Sequence, residues 1–77
     1  MPKIINVIPM SDHKLQLKYD SNETKIFDVS QYIQGSWFGL LSDDEYFKTV
    51  HIINGGRGIE WKDGQDIAPH KLYELSV

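Results

Sequence analysis

The chain has 77 residues, no cysteine and a formal net charge of −3, and its basic side chains are scattered along it. This length supplies enough apolar surface for one core, so we predict a single domain over residues 1–77. The composition excludes disulfides and thiolate chemistry and disfavours direct binding to nucleic acid or insertion into a membrane, so we expect a cytoplasmic protein.

Two strands are predicted at the N-terminus. Residues 3–10 are rich in β-branched side chains that do not alternate with polar ones, which is typical of a strand covered on more than one side. We expect Pro9 to end this strand. In residues 14–20, apolar side chains such as Leu15 and Leu17 alternate with polar ones, which is the period of a half-buried strand.

The next segment predicts a hairpin and a helical turn. A turn with Asn22 in the left-handed region leads into a strand over residues 24–29, which pairs with the preceding strand. A helical turn then starts at Asp28 or Ser30, and Gly35 stops it.

The middle of the chain predicts an irregular connection followed by a short helix. Residues 35–41 carry large apolar side chains between glycines, over a length too short for a regular helix. Ser42 and Glu45 then have the spacing of a capping box, in which each side chain satisfies an amide at the helix start. We therefore predict a helix from Ser42 to about Thr49, with Phe47 turned inward.

The C-terminal third predicts a second hairpin and a final helical turn. Residues 50–54 and 58–61 form the hairpin across a glycine-rich turn. Asp63 and Gly64 turn the chain again, because this pair adopts positive backbone dihedrals easily. Pro69 is well placed as the first residue of a helical turn that ends the domain.

The terminal helical turn, over residues 70–75, makes Leu72 and Leu75 available to the core. Together the elements predict an α+β fold. We expect a two-layer sandwich, in which an antiparallel sheet of two hairpins plus an N-terminal strand carries short helices on one face.

Two groups of residues have the pattern of a known family. The mid-chain group is Gly35, Phe38, Leu41, Asp43 and Phe47, and the C-terminal group is Trp61, Gly64, Asp66, Pro69, Leu72 and Tyr73. With these residues the chain resembles a bacterial family of small α+β domains catalogued as domain of unknown function 2442. The resemblance implies a two-layer fold without an assigned activity. Some similar proteins carry a helix-turn-helix segment or lie beside small toxin-like partners.

No group of residues predicts a metal site. His13, His51 and His70 are not spaced to share a helix face. A metal site built from His51, Asp66 and His70 would form only through the fold. The acids of residues 43–45 suit the start of a helix, where they interact favourably with its dipole. We therefore expect no metal ligands.

No group of residues predicts catalysis or a cofactor either. The glycine-rich residues 54–58 lack the Gly-Lys-Ser/Thr ending and the following helix of a phosphate loop, and no serine lies in a nucleophile elbow. Asp66 is expected to cap the segment that follows it. Ala68 stands where the similar family often has a capping Asp or Ser, and its side chain cannot accept from the helix amides. We expect a protein that is not an enzyme.

Trp37 and Phe38 are the candidate partner-binding residues. Because they are adjacent in a glycine-bounded loop, either one of them faces outward or both are buried. The resemblance makes Phe38 a core residue and leaves Trp37 as a partially exposed contact for a protein partner. We predict a small interaction or accessory domain that binds another protein or its own copy. The alternative is a regulator associated with nucleic acid, or a member of a toxin-antitoxin-like pair, that acts through a partner.

Overall fold

The computed structural model describes residues 2–77 as a series of short strands and helices. In chain order these are β1 (Ile4–Met10), β2 (Lys14–Tyr19), β3 (Thr24–Asp28), α1 (Gly35–Phe38), α2 (Asp44–Phe47), β4 (His51–Ile53), β5 (Gly58–Glu60), β6 (Asp66–Ile67) and α3 (Pro69–Leu75). The strands form two three-stranded antiparallel sheets, ordered β1-β2-β3 and β4-β5-β6. The predicted α+β class is confirmed, and strands that we expected in one sheet are divided between two.

The first sheet buries one face. Leu15 and Leu17 of β2 and Phe27 of β3 are fully buried, whereas the residues between them are exposed or half-buried. This alternation is the one predicted from the sequence. The hairpin of β2 and β3 is also confirmed, and Asn22 lies in its turn with φ at 74°.

β1 is less covered than predicted. Ile5 and Ile8 are exposed, because only one face of β1 packs on the core. The expectation of a strand covered on more than one side was therefore wrong. The strand also continues beyond Pro9 to Met10.

Hydrogen bonding explains why Pro9 does not end the strand. The N–H and C=O of Ile26 bond to Val77, at 2.8 and 2.9 Å, and so face away from β2. In an antiparallel ladder these directions alternate, so Gln16, the partner of Ile26, directs its own bonds to Ile8 on β1. Pro9 follows Ile8, and its nitrogen therefore faces away from β2. The missing N–H removes no bond from the sheet.

The second sheet contains the predicted second hairpin and one further strand. The amide of Trp61 donates to the carbonyl of Gln65 at 2.9 Å, across a turn in which Gly64 has φ at 95°. This tight turn brings Asp66 and Ile67 back against β5 as β6. The sequence did not indicate β6, because two residues are too few to show a period.

The two sheets approach each other closely at Gly56, in the turn between β4 and β5. A Cβ atom on Gly56 would lie 2.6 Å from the carbonyl oxygen of Ile4, and the φ angle of Gly56 is 98°. Both facts require glycine at this position. The glycine-rich segment that we predicted as a hairpin turn therefore also joins the two halves of the domain.

Trp61 occupies the centre of the core. It is fully buried, and its indole N–H donates to the carbonyl of Phe47 at 2.9 Å. Phe47 faces inward, as predicted, and its ring packs on the Trp61 ring with 5.8 Å between centroids. The hydrogen bond and the ring contact between Phe47 and Trp61 thus hold α2 against the residue that follows β5.

α3 starts at Pro69, as predicted, and covers the core with the fully buried Leu72. Leu75 was expected to face the core, but it is 53% exposed. The helix ends at Leu75, and the next residue, Ser76, is buried. Val77 then forms two backbone hydrogen bonds with Ile26 of β3. No helix within residues 2–77 is long and apolar enough to cross a membrane.

The segment that precedes α2 is more helical than predicted. A 3-10 turn over Ser30–Tyr32 follows β3, and Gly35 begins α1 with φ at 76° instead of stopping that turn. The expected irregular connection of residues 35–41 is one turn of α-helix, followed directly by a 3-10 turn over Gly39–Ser42.

The cap of α2 is one residue later than predicted. The Asp43 carboxylate, and not Ser42, accepts from the N–H of Tyr46, at 3.2 Å. Ser42 is engaged elsewhere, because its hydroxyl donates to the carbonyl of Gly39 at 2.8 Å and closes the preceding 3-10 turn. The helix consequently begins at Asp44 and is shorter than the predicted one.

Candidate interaction surface

α1 and the 3-10 turn after it present two large apolar side chains to solvent. Trp37 is 52% exposed and Leu40 is 43% exposed. We call these two side chains the α1 surface. Phe38, between them in sequence, is half-buried and packs against the core. The structure therefore has the arrangement in which Trp37 faces outward, and not the alternative in which both aromatic side chains are buried.

The indole ring of Trp37 is supported on one side. It meets Phe38 edge to face, with 6.0 Å between ring centroids. Its Cζ2 atom lies 4.0 Å from where a Cβ on Gly64 would stand, so the ring rests beside the turn that precedes β6. The other part of the ring faces solvent and is free to contact a ligand.

Gln65 fixes the backbone of α1 from inside the domain. This residue is fully buried, and its Nε2 donates to the carbonyl oxygen of Trp37 at 3.1 Å. Its Oε1 lies 2.9 Å from the hydroxyl of Tyr46, which is also 2.8 Å from Oδ2 of Asp63. One hydroxyl proton serves both acceptors. Burial, and after it the hydrogen bond to Asp63, raise the pKa of Tyr46 above its ordinary value.

The three histidines lie on separate elements: His13 is in the segment between β1 and β2, His51 is in β4 and His70 is in α3. His13 Nε2 is 3.0 Å from the carbonyl oxygen of Ser42, and His51 Nε2 is 3.0 Å from Oε1 of Glu60 on the neighbouring strand. Hydrogen bonds to the Thr49 carbonyl and to Glu60 raise the pKa of His51. Within residues 2–77, histidine and acidic side chains form no group of three or more that is arranged to hold a metal.

The sequence profile of a family described as Protein of unknown function (DUF2442) matches residues 4–77. The chain belongs to this family. No curated protein and no solved structure matches it.

Most of the residues that carry the DUF2442 pattern have contacts that build the fold. Four of them are buried in the core: Leu41, Phe47, Trp61 and Leu72. Two glycines, Gly35 and Gly64, have positive φ angles. Asp43 caps α2, and Pro69 begins α3. Tyr73 is half-buried, and its hydroxyl donates to Glu23 at 2.8 Å. These residues therefore act mainly in the fold of this DUF2442 domain.

Asp66 has no such role in this DUF2442 domain. It was expected to cap the segment that follows it, but α3 starts after Ala68 without a side-chain cap, and the Asp66 side chain is exposed on β6. The pairing of β6 with β5 explains the difference, since it holds Asp66 in extended conformation opposite Glu60.

Two residues that shape the α1 surface were not identified from the sequence. Leu40 belongs to the same apolar segment as Trp37, but its exposure depends on the direction of the 3-10 turn. Gln65 is a polar residue beside a turn, where the usual expectation is exposure. Its burial follows from the hydrogen bonds that it makes to both α1 and α2, and no local pattern indicates these.

Proposed function

We propose that this DUF2442 domain is a non-enzymatic interaction module of the cytoplasm, and that it binds a protein partner through the α1 surface. The observation that carries the proposal is the half-exposed Trp37 on a backbone held by the buried Gln65. Tryptophan is among the residues that contribute most to binding energy at protein interfaces.

The way in which Trp37 is held supports the proposal. A side chain on a mobile loop loses conformational entropy when it binds, and this loss reduces affinity. The Trp37 backbone is hydrogen-bonded to the core, and its ring already rests on Phe38 and beside Gly64. This side chain therefore has little conformational entropy left to lose when a partner binds.

The test compares two exposed apolar residues. Trp37→Ala removes the larger side chain of the α1 surface, and Leu75→Ala removes an equally exposed side chain from α3. Tagged forms of both variants and of the wild type are expressed in the native host, and the proteins bound to each are identified by mass spectrometry. We expect one partner to be retained by the wild type and by Leu75→Ala and to be lost by Trp37→Ala.

Two further measurements make the result decisive. Circular dichroism must show that Trp37→Ala is folded, and sedimentation equilibrium of each protein shows whether the partner is a second copy. A partner that Trp37→Ala and the wild type retain equally well would contradict binding through the α1 surface.

A further inference from the structure

The segment that carries the α1 surface is acidic. Residues 30–47, which contain α1 and α2, include no lysine or arginine, and Lys48 follows them directly. Asp43, Asp44 and Glu45 begin three residues after Leu40 and are all exposed, and the N–H of Asp43 bonds to the Leu40 carbonyl. Asp63 lies beside Gly64, on which the Trp37 ring rests. We call these four carboxylates the acidic rim.

The acidic rim is only partly neutralised from within the domain. Among residues 2–77, the only basic side chain within 4.0 Å of a rim carboxylate is His13, which lies 3.8 Å from Asp44. Two lysines are neighbours of the rim in sequence: Lys48 follows α2, and Lys62 precedes Asp63, with its Nζ 5.0 Å from the centroid of the Tyr46 ring. The four rim carboxylates outnumber the two lysines, so the α1 surface is an apolar pair of side chains beside a net negative charge.

This charge distribution separates the classes of partner. In a symmetric dimer the same surface of both copies meets, so the acidic rims would face each other and repel. Nucleic acid carries negative charge at every phosphate and would be repelled as well. A polypeptide with positive charge around an apolar residue covers the apolar side chains of the α1 surface and neutralises the acidic rim.

From this we propose, on the basis of the proposed function, that the partner of the α1 surface is a basic polypeptide segment. It places an apolar side chain against Trp37 and Leu40, and lysine or arginine side chains against the acidic rim. Complementary charge accelerates the encounter and selects the partner, and burial of the apolar side chain supplies affinity.

The probes are two short synthetic peptides that share a Leu-Phe-Leu centre. One peptide carries arginines at both ends and the other carries glutamates. Each is titrated into the isotope-labelled full-length chain and followed by NMR. The two indole N–H signals make the readout specific, because the Trp37 indole faces solvent whereas the Trp61 indole donates to Phe47 in the core.

We expect the arginine peptide to shift the Trp37 indole signal and the amide signals of residues 36–45, and to leave the Trp61 indole signal in place. Raising the salt concentration from about 50 mM to about 500 mM should weaken this binding roughly tenfold, because screening shortens the range of the rim charges. The glutamate peptide should cause no shift. Equal binding of the two peptides, or no shift of the Trp37 signal by the arginine peptide, would overturn the inference.

A matched pair of variants tests the rim directly. Asp44→Asn combined with Glu45→Gln removes two exposed rim charges and keeps the Asp43 cap. We expect it to weaken the arginine peptide roughly fivefold or more. Glu74→Gln, which removes an exposed charge from α3, should leave the affinity unchanged. Equal effects of the two changes would contradict the assignment of the rim.

The same variants separate this inference from the proposed function. A partner that is lost by Trp37→Ala and fully retained by Asp44→Asn with Glu45→Gln would preserve the interaction module and refute a basic partner. A partner that Trp37→Ala retains would refute binding through the α1 surface, whatever the peptides do.

Discussion

The side-chain amide of Gln65 donates a hydrogen bond to the main-chain carbonyl of Trp37, with 3.1 Å between the two atoms. The same buried side chain accepts from the hydroxyl of Tyr46 on α2. One residue of the turn between β5 and β6 therefore bonds to both α1 and α2, which carry Trp37 and part of the acidic rim. The position of this surface depends on the interior of the domain and not on the loop that carries it.

Replacement of Gln65 should loosen α1. In Gln65→Ala the Trp37 carbonyl and the Tyr46 hydroxyl lose a buried partner, so we expect the free energy of unfolding to fall by about 1–3 kcal/mol. Urea denaturation measures this change, and hydrogen exchange should be faster at the amides of α1. Gln34→Ala, at an exposed position next to α1, is the control and should change stability by less than about 0.5 kcal/mol. Equal stability of the two variants would contradict the role of Gln65.

The cap of α2 can be tested by two adjacent substitutions. Asp43→Ala removes the acceptor of the Tyr46 amide and should lower the free energy of unfolding by about 1 kcal/mol. Ser42→Ala removes only the hydroxyl bond to Gly39 and should cost less. Thermal and urea denaturation of both variants give the order. If Ser42→Ala were the more destabilising change, it would contradict the assignment of the cap to Asp43.

Tyr19 provides a prediction of opposite sign. Its side chain is buried, and its hydroxyl has no hydrogen-bond partner among residues 2–77. Tyr19→Phe should therefore leave the free energy of unfolding unchanged or raise it by up to about 1 kcal/mol. Tyr46→Phe is the matched change, because it removes a donor from Asp63 and Gln65 and should lower stability by about 1–2 kcal/mol. Similar losses in the two variants would show that Tyr19 has a partner in solution.

The same tyrosine should make the domain sensitive to alkali. Burial, with smaller effects from Tyr73 and Glu23, raises the pKa of Tyr19 from 10.0 to about 12. A group whose pKa is higher in the folded chain stabilises it fully below the unfolded value and loses this contribution as the pH rises through the folded value. Stability should therefore fall between pH 10.0 and about 12. Urea denaturation at these pH values should show a smaller fall in Tyr19→Phe.

Glu23 should make the domain sensitive to acid. Hydrogen bonds from Ser21 and Tyr73 lower the pKa of this carboxyl below its ordinary value of 4.5. Its stabilising effect is therefore present above the ordinary pKa and is lost as the pH falls through the folded one. Tyr73→Phe removes a donor and should reduce the loss of stability below pH 4.5. Tyr32→Phe should follow the wild-type pH dependence, and identical curves for wild type and Tyr73→Phe would contradict the prediction.

Local patterns predicted the parts of the fold that depend on local chemistry. The alternation of β2, the turn at Asn22 and the helix start at Pro69 each follow from residues close together in sequence, and the structure contains all three. One error concerns competition between neighbours. Serine and aspartate are both favoured at the N-cap position. Asp43 caps α2 because the Ser42 hydroxyl already donates a hydrogen bond within the preceding 3-10 turn.

The candidate site was only partly visible in the sequence. Trp37 was identified from its position between glycines, but its exposure depends on where Phe38 and Gly64 lie. Leu40 and Gln65 were missed because their environments are made by contacts between distant segments. The bond from Gln65 to Trp37 spans 28 positions in sequence, which is beyond the reach of any periodic or motif-based argument.

The two tryptophans lie in opposite environments, and this gives the domain two internal optical probes. Trp61 is fully buried in the core and Trp37 is half exposed on the α1 surface. Acrylamide should therefore quench the fluorescence of Trp37 selectively in the folded protein, whereas loss of the Trp61 emission at short wavelength reports unfolding. A ligand that shields Trp37 from the quencher without moving the Trp61 emission would be recognised as a binding event, with no label attached to the chain.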